Sequence, residues 1–381
     1  MGRPARNKDW GTGRIRRCSS NGVLGRRRLC AGDDPAYQAV HVGCGALTLD
    51  PRSTTVTCKV GVDISKMKLD AAWLKEDGKY RSKVFPNNAG GFADMLRWLD
   101  FHLPGGKASA HVCMEATGPY HEGLALFLHD HAVAVSVVNP LQVKRFMELE
   151  RVRNKTDEGD AKALARFCDR TAPALWEAPS PSVRCLQALV ARLDTLQQLR
   201  QGESNRLQVA HESVRPSLMA VIASLDHSIE EVCKQIRKTI DDDPDLQQRS
   251  ALLATIPGLG GKTIPRLLAY IGRPERFTGA KALIAYASLT PMIRQSGTSL
   301  DKRRGTHPQG HAALKKALYF PALVAGRHNP LVARFWKHLK AQNKPGKLVA
   351  VACMHKLLAI AYGVLRSGKP FDANYGKAAS A

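Results

Sequence analysis

The sequence has few acidic residues for its length. Asp and Glu number 33 against 57 Lys and Arg, which gives a formal net charge of +24 at pH 7. An excess of this size predicts a polyanionic partner, and nucleic acid is the commonest one. Long apolar runs are lacking too: none looks long enough to cross a bilayer, and no apolar segment follows the first Met. We therefore expect neither a membrane protein nor a secreted one.

Paired cysteines are lacking as well. The nine cysteines form no CxxC pair, and their number is odd. Zinc-binding and disulfide frameworks are therefore poorly supported, and reduced thiols of a cytoplasmic protein fit better. The apolar share of 44% excludes wholesale disorder, and 381 residues exceed what one ordinary core holds, so we expect two or three domains.

Four segments differ in composition and in hydrophobic pattern. Residues 1–55 are rich in Arg, Gly and Pro, which predicts a disordered basic tail or an over-extended start site. Residues 56–175 show three early strands and then alternating helices and strands, typical of an α/β domain with a mixed sheet. Residues 181–245 predict two long helices that link this domain to a mostly helical, basic domain at residues 251–370.

The two long helices carry apolar residues at heptad-like spacing, among them Leu186, Leu193 and Leu225. This pattern predicts an antiparallel hairpin or a coiled-coil interface. Such an apolar stripe commonly faces the core of a plain helical bundle, which is favoured over a ligand site in this segment.

Four acidic residues occupy positions from which their carboxylates could meet. Asp63 and Glu115 each end a predicted strand, whereas Asp157 and Asp160 lie three apart on one face of a predicted helix. Oxygen ligands of this kind suit Mg²⁺, and a pair of such ions can support phosphoryl transfer. Taken singly, each acid has a structural explanation, such as a helix N-cap or an ion pair. Together, in a basic chain, they favour a metal site.

The segments VGVDISKMKLD, CMEATGPYHEGLALFL, VVNPLQVKRF and RNKTDEGDAKALARF resemble, in this order, the RuvC-like (RNase H-like) domain of DEDD-type insertion-sequence transposases. This group includes the Piv-like DNA invertases and the bridge-RNA-guided recombinases, and the resemblance continues to about residue 370. It implies a catalytic site that binds Mg²⁺, or Mn²⁺ in its place. The matching acidic tetrad is Asp63, Glu115, Asp157 and Asp160.

The stretch IPGLGGKT at residues 256–263 has the form of a helix-hairpin-helix turn. In such a turn, Gly258 and Gly260 would let backbone N–H groups approach a phosphate, and Lys262 would add positive charge. The stretch does not match the GxxxxGK[ST] pattern of a Walker A loop. A plain tight turn between packed helices is the alternative.

The stretch YASLTPMIRQSGTSLDKRRGTHPQGHAALKKALYF resembles the C-terminal domain of the same transposases. The resemblance implies that Ser296 is a nucleophile that forms a phosphoserine–DNA intermediate, and Ser299 is a nearby alternative. Two positions depart from the family pattern: Ser288 replaces the usual glycine, and QGH at 309–311 replaces a more common Lys-Gly-Asn. The cations nearby in sequence that could stabilise charge on the phosphate are Arg294, Lys302, Arg303 and Arg304.

The resemblance therefore implies a transposase or recombinase that acts on the ends of a mobile element and on target DNA. In such enzymes the acidic tetrad of one subunit meets the serine domain of another, so a dimer or tetramer with composite sites is expected. A non-coding guide RNA is a further expected partner. Two alternatives stay open: a metal-dependent RuvC-like nuclease or junction resolvase without serine chemistry, and an inactive copy that only binds nucleic acid.

Overall fold

The structure is a computed structural model that describes residues 58–116, 118–150, 156–296, 300–307 and 309–374. The side chains at positions 293–296 and 300–304 fall outside this description. The predicted basic tail, residues 1–55, also lies outside the described residues. All described residues belong to one compact unit of the chain, Val40–Ala381.

A five-stranded sheet forms the first part of the described chain. Its strands are β1 Cys58–Ile64, β2 Lys68–Leu74, β3 Tyr80–Pro86, β4 Ala110–Glu115 and β5 Ala134–Val138. The order across the sheet is β3-β2-β1-β4-β5. The pairs β1–β2 and β2–β3 are antiparallel, whereas β1–β4 and β4–β5 are parallel. The expected α/β fold with a mixed sheet is confirmed, and the arrangement is compatible with an RNase H-like domain.

Helices cover both faces of this sheet: α1 Ala89–His102, α2 Glu122–Asp130, α3 Pro140–Leu149 and α4 Asp157–Thr171. Because side chains alternate along a strand, Val60 and Val62 point into a core shared with α1 and α2. Gly61 and Asp63 therefore lie on the opposite face. That face carries Cys113 of β4, which packs with apolar side chains of α3 and α4.

Two long helices, α5 Pro181–Val209 and α6 Arg215–Asp241, follow the sheet domain and pack against each other. They run antiparallel, because Cys185 Sγ lies 3.8 Å from Thr239 Oγ1 while Arg200 Nη2 donates to Asp226 Oδ2 over 3.0 Å. Both helices are fully described, and their buried apolar side chains are confined to the end of the pair that is nearest to the rest of the chain. These side chains are Val183, Leu186, Val190, Leu193, Leu196, Ile236 and Ile240.

The last part of the chain is a helical core. Its helices are α7 Pro244–Ala254, α8 Ile264–Ile271, α9 Ala280–Tyr286, α10 Ala312–His328, α11 Pro330–Ala341 and α12 Gly346–Ser367. Between α9 and α10 lies an antiparallel hairpin of β6 Pro291–Ser296 and β7 Leu300–Thr306, which the sequence pattern does not predict. Polar contacts attach α5 to this core, since Arg266 Nε and the Tyr270 hydroxyl both donate to Asp194 over 3.0 and 3.2 Å.

Helix α12 corrects one expectation. By its 22 residues and a mean hydropathy of 2.0 over an 18-residue window, it is long and apolar enough to cross a membrane, although no such run was expected. However, 56% of that window is buried inside the protein, where Cys353, Leu357 and Ala361 pack in the helical core. The same length and composition therefore also suit the central helix of a helical core.

Candidate active site

The four predicted carboxylates lie at one edge of the sheet. Strands β1 and β4 run parallel and in register, so that Asp63 near the end of β1 and Glu115 at the end of β4 leave the same edge. Asp157 and Asp160 lie in the first turn of α4, which covers this face of the sheet. Carboxylates from three separate segments are thus brought to one place.

The pKa of Asp63 reflects the other carboxylates around it. Burial, followed by the charges of Asp160 and Asp157, raises the pKa of Asp63 to about 6, with smaller contributions from Asp70 and Glu115. A nearby like charge disfavours the ionised form of a carboxyl group and so raises its pKa. Asp63 therefore lies near the other three predicted carboxylates and near a fifth acid, Asp70. We call these five carboxylates the acidic cluster.

Gly61 explains how α4 comes so close to β1. A Cβ atom at this position would lie 2.1 Å from the carbonyl oxygen of Ala161 and 2.3 Å from the amide nitrogen of Ala165. The Cβ of Leu164, on the same helix, would lie 2.8 Å away. Because Gly61 is two residues before Asp63, this backbone contact sets the distance between the strand carboxylate and the helix that carries the other pair.

The start of α4 suits a pair of acids. Thr156 has extended backbone angles, and its Oγ1 accepts a hydrogen bond from Gly159 N over 3.1 Å, which makes it the N-cap of the helix. Asp157 and Asp160 then lie in the first turn, where the helix dipole favours negative charge. The local sequence therefore both starts the helix and stabilises its carboxylates.

Asp70 is the residue that sequence reasoning missed. It lies on β2 directly opposite Asp63 of β1, and it is 7% exposed. Paired residues on adjacent antiparallel strands point to the same face, so Asp70 points to the face that α4 covers. The sequence signal for this pairing is the short connection between the two predicted strands. A short turn pairs residues that lie at equal distances before and after it, which places Asp70 opposite Asp63.

Lys68 contacts two members of the acidic cluster. Its Nζ atom lies 2.7 Å from Asp157 Oδ2 and 3.1 Å from Asp70 Oδ2. The hydrogen bonds to Asp157 and then to Asp70 raise the pKa of Lys68. A lysine at the start of β2 thus joins the sheet to the first turn of α4.

The acidic cluster fits a divalent cation by its chemistry. Carboxylate oxygens are the ligands that Mg²⁺ and Mn²⁺ prefer. Across the part of the chain that the structure describes, however, no three His, Cys, Asp or Glu side chains stand close enough together to hold an ion. An ammonium group lies between two of the carboxylates instead. The donor atoms are therefore of the right chemical type, but within the described residues they do not form a closed ligand set.

The IPGLGGKT stretch forms the turn between α7 and α8. Gly258 has a φ of 104°, and a Cβ atom there would lie 2.6 Å from Ala325 Cβ of α10, so packing alone requires a glycine. Gly260, in contrast, has open space where its Cβ would be, and its carbonyl oxygen accepts from Thr263 N over 2.8 Å. Lys262 is exposed beside it. Contact of these residues with DNA stays a prediction.

For the predicted nucleophile, Ser296, the structure describes the position of the backbone. Ser296 ends β6 and pairs with Leu300, the first residue of β7, while Arg294 pairs with Lys302. The serine thus lies at the tip of a hairpin whose strands carry all four predicted cations, Arg294, Lys302, Arg303 and Arg304. The side chains of these five residues, and Ser299 as a whole, lie outside the described residues.

The two departures from the family pattern both have local structural roles. Ser288 has a φ of 56°, a region that favours glycine, and its hydroxyl donates to the carbonyl oxygen of His307. His311 is the N-cap of α10, where its Nδ1 accepts from Leu314 N over 3.1 Å. Burial lowers the pKa of His311, and the positive charge of Arg276 adds to this effect.

Comparisons with known proteins show which proteins the chain is similar to. A family model described as a transposase matches residues 60–216, and one described as the transposase IS116/IS110/IS902 family matches residues 250–337. The pilin gene-inverting proteins of Moraxella lacunata and Moraxella bovis are each 35% identical over 324 residues, which is 82% of this chain and 97% of the relative. The insertion element IS110 uncharacterized 43.6 kDa protein of Streptomyces coelicolor is 25% identical over 161 residues, 42% of this chain and 38% of that protein.

Proposed function

Because the chain belongs to the IS110-type transposase family and is therefore a DNA recombinase, we propose that it cuts and rejoins DNA with the acidic cluster and Ser296. The observation that carries this proposal is the meeting of the carboxylates from β1, β4 and α4 at one sheet edge. The printed name of the Moraxella relatives supports inversion of a DNA segment as one form of the reaction.

In this proposal, the residues that hold Mg²⁺ or Mn²⁺ are Asp63, Glu115, Asp157 and Asp160. A bound ion would polarise the phosphodiester and stabilise the leaving oxygen. The Ser296 hydroxyl loses its proton and forms a bond to phosphorus, while the bond from phosphorus to one deoxyribose oxygen breaks and that oxygen takes up a proton. A strand hydroxyl later attacks the phosphoserine and releases Ser296, so rejoining needs no external energy source.

The cationic hairpin would support this chemistry. Arg294, Lys302, Arg303 and Arg304 lie on the two paired strands of the hairpin that carries Ser296, and in this proposal they stabilise charge on the phosphate. The turn with Gly258, Gly260 and Lys262 is proposed to contact the DNA backbone as a helix-hairpin-helix element. A formal net charge of +24 supports extensive contact with DNA and with a non-coding guide RNA.

The exposed part of the α5–α6 hairpin supports assembly into a homo-oligomer, a dimer or a tetramer. Toward the connection between α5 and α6, large apolar side chains are left in solvent, with Val209 88% exposed. The others are Leu199, Val214, Met219 and Val221. A coiled coil with a second copy of the chain would cover this stripe and bring the acidic cluster of one subunit to Ser296 of another.

The domain organisation proposed with this function has four parts: a basic tail at residues 1–55, the DEDD domain at 56–175, the helical linker at 181–245 and the serine domain at 251–370. Family membership and the reduced cysteines favour a bacterial cytoplasmic protein that associates with the nucleoid.

The experiment that tests the proposal compares variants of this protein in cells that carry the mobile element on whose ends it acts. We expect Asp63→Asn and Ser296→Ala each to reduce strand exchange, measured by amplification of the recombined junction, to below about 1% of wild type. The wild type and the control Ser299→Ala should give a covalent protein–DNA adduct whose modified residue, identified by mass spectrometry, is Ser296. RNA that copurifies with the protein should be one defined species.

Each outcome separates the alternatives. Full strand exchange in Ser296→Ala would exclude the serine nucleophile, and retained DNA cutting alone would favour the nuclease or resolvase. Unchanged DNA phenotypes in Asp63→Asn would indicate a protein that only binds nucleic acid. Recovery of random RNA fragments would count against a guide RNA and leave the recombinase chemistry untouched.

A further inference from the structure

Lys68 lies where the acidic cluster meets the turn between β1 and β2. Its ammonium nitrogen is 2.7 Å from Asp157 Oδ2 on α4 and 3.1 Å from Asp70 Oδ2 on β2. One side chain therefore spans the contact between the sheet and the helix. Its two partners belong to the same cluster of carboxylates, so the ammonium is part of the site and not an isolated surface ion pair.

Hydrogen bonds in the turn fix the backbone of Lys68. Ser65 N donates to Lys68 O over 3.0 Å, and Lys68 N donates to Ser65 Oγ over 3.2 Å. Asn87 Nδ2 donates to Ser65 O over 2.8 Å, and Asn87 N donates to Met67 O over 2.9 Å. The start of β2 is thus held from both sides, which directs the Lys68 side chain toward α4.

The charges explain why a cation is useful at this point. Carboxylates that lie close together repel one another, and an ammonium at hydrogen-bonding distance reduces this repulsion. A divalent cation that bound the same oxygens would reduce it further, because it carries twice the charge on a smaller ion. The ammonium and a metal ion therefore compete for the carboxylate of Asp157.

We propose that Lys68 is an internal counterion of the acidic cluster, which holds Asp70 and Asp157 before a divalent cation binds and releases Asp157 when one does. This inference rests on the metal-binding role that the proposed function gives to the cluster. Lys68 is accordingly a positioning residue. It stabilises the metal-free protein and lowers the affinity of the cluster for the ion.

A purely structural ion pair is the rival explanation. The side chains of Lys68 and Asp157 are 43% and 57% exposed, and exposed pairs often contribute nothing measurable to stability. Such a pair could change the melting temperature when it is removed. It would not make the protein bind a metal ion more tightly, and this difference separates the two explanations.

The experiment titrates the full-length protein with Mn²⁺ and follows free Mn²⁺ by electron paramagnetic resonance at an ionic strength of about 0.15 M, which screens distant charges. Lys68→Met keeps an unbranched side chain, one atom shorter, and removes its charge, whereas Lys68→Arg keeps the charge. Lys66→Met is the matched control, because Lys66 is an exposed lysine of the same turn. Thermal unfolding of each variant is measured with a chelator and with Mn²⁺.

We expect Lys68→Met to bind Mn²⁺ about 3- to 10-fold more tightly than wild type, and Lys66→Met to stay within about 2-fold. Lys68→Arg should bind like wild type. With a chelator, Lys68→Met should unfold at a lower temperature than wild type, and Mn²⁺ should stabilise it more. The ion would then take over the role of the missing ammonium.

Equal or weaker Mn²⁺ binding by Lys68→Met, while the wild type binds the ion, would overturn the counterion role and leave the proposed function standing. An equal gain in Lys66→Met would also overturn it, because the effect would then be one of general charge. If neither wild type nor Lys68→Met binds Mn²⁺, the metal-binding role of the acidic cluster fails, and the counterion role fails with it.

Discussion

In the sheet domain, the residues of the acidic cluster come from distant segments and meet because a side chain is missing at Gly61. In the helical core, the segments that flank the Ser296 hairpin are held by side chains that are present. Ser288 bonds to His307 O on one side of the hairpin, and His311 caps the helix on the other. One region is thus assembled by close backbone packing, and the other by local hydrogen bonds.

This difference determines how each region responds to substitution. Close backbone packing leaves no room to adjust, so a single added methyl group displaces a whole helix. A hydrogen bond to a turn or a helix end can be replaced by another polar side chain at small cost. We therefore expect large effects of substitution at the β1–α4 contact and small ones beside the serine hairpin.

The largest expected effect is that of Gly61→Ala. Its Cβ would overlap the backbone of α4 at Ala161 and Ala165, so the helix has to move away from β1. We expect a loss of about 3 kcal/mol or more in the free energy of unfolding, measured with urea. Because Asp157 and Asp160 move with α4, recombination should fall by about 100-fold or more in protein that still folds.

Gly202→Ala is the control for Gly61→Ala. Gly202 lies inside α5 with open space where its Cβ would be, so alanine should stabilise this helix by about 1 kcal/mol. Equal and small effects of the two substitutions would mean that the contact between β1 and α4 is looser than the structure indicates.

His311→Asn is expected to have an intermediate effect, which depends on pH. Burial lowers the pKa of His311 below its ordinary value of 6.5, so on acidification the unfolded chain takes up a proton first. The contribution of neutral His311 to the free energy of unfolding is therefore fully present at neutral pH and is lost as the pH falls below 6.5. Protonation of Nδ1 also removes the acceptor that caps α10.

Asparagine caps a helix without titrating in this range, although it loses the stacking of His311 on Tyr270, whose ring centroids are 4.4 Å apart. His311→Asn should therefore be less stable than wild type by about 1 kcal/mol near pH 7.5 and closer to it near pH 5.5. Thermal unfolding at both pH values measures the change. Parallel losses of stability in the two proteins on acidification would contradict it.

Ser288→Gly is expected to have the smallest effect. Glycine adopts the φ of 56° without strain, which offsets the lost hydrogen bond to His307 O, so the free energy of unfolding should change by less than about 1 kcal/mol. Ser288→Ala keeps the strained backbone and loses the bond, and it should destabilise the protein by about 1 kcal/mol. Unfolding in urea compares the two, and a larger loss in the glycine variant would show that the bond matters more than the strain.

Much of the sheet domain could be predicted from the sequence, because its strands and helices have clear hydrophobic periods. The positions of Asp63 and Glu115 at strand ends follow from the same pattern. For Asp70 and Lys68, the hydrophobic pattern predicts a place in a strand and nothing more. Periodicity gives the face of the sheet on which a residue lies, but it does not give the residue's partner on the next strand. The ion pair of Lys68 with Asp157 depends on where α4 lies, and a contact between distant segments sets this position.

The helical core shows a different limit. The strands β6 and β7 are rich in charge and lack the alternation of apolar and polar residues that marks a half-buried strand, so a hairpin was not predicted around Ser296. The roles of Ser288 and His311 depend on a backbone angle and on a helix start. In the sequence, Ser288 and His311 are noticeable only because they depart from the pattern of the family.

The contact of Gly61 with α4 has a consequence for how the enzyme is made. The two partners are separated by about 100 residues of chain, which a ribosome adds in roughly 5 to 20 s. Strand β1 therefore emerges long before the helix that completes the acidic cluster. A nascent chain therefore carries Asp63 and Glu115 before Asp157 and Asp160 are made, and the acidic cluster can form only after α4 has been synthesised.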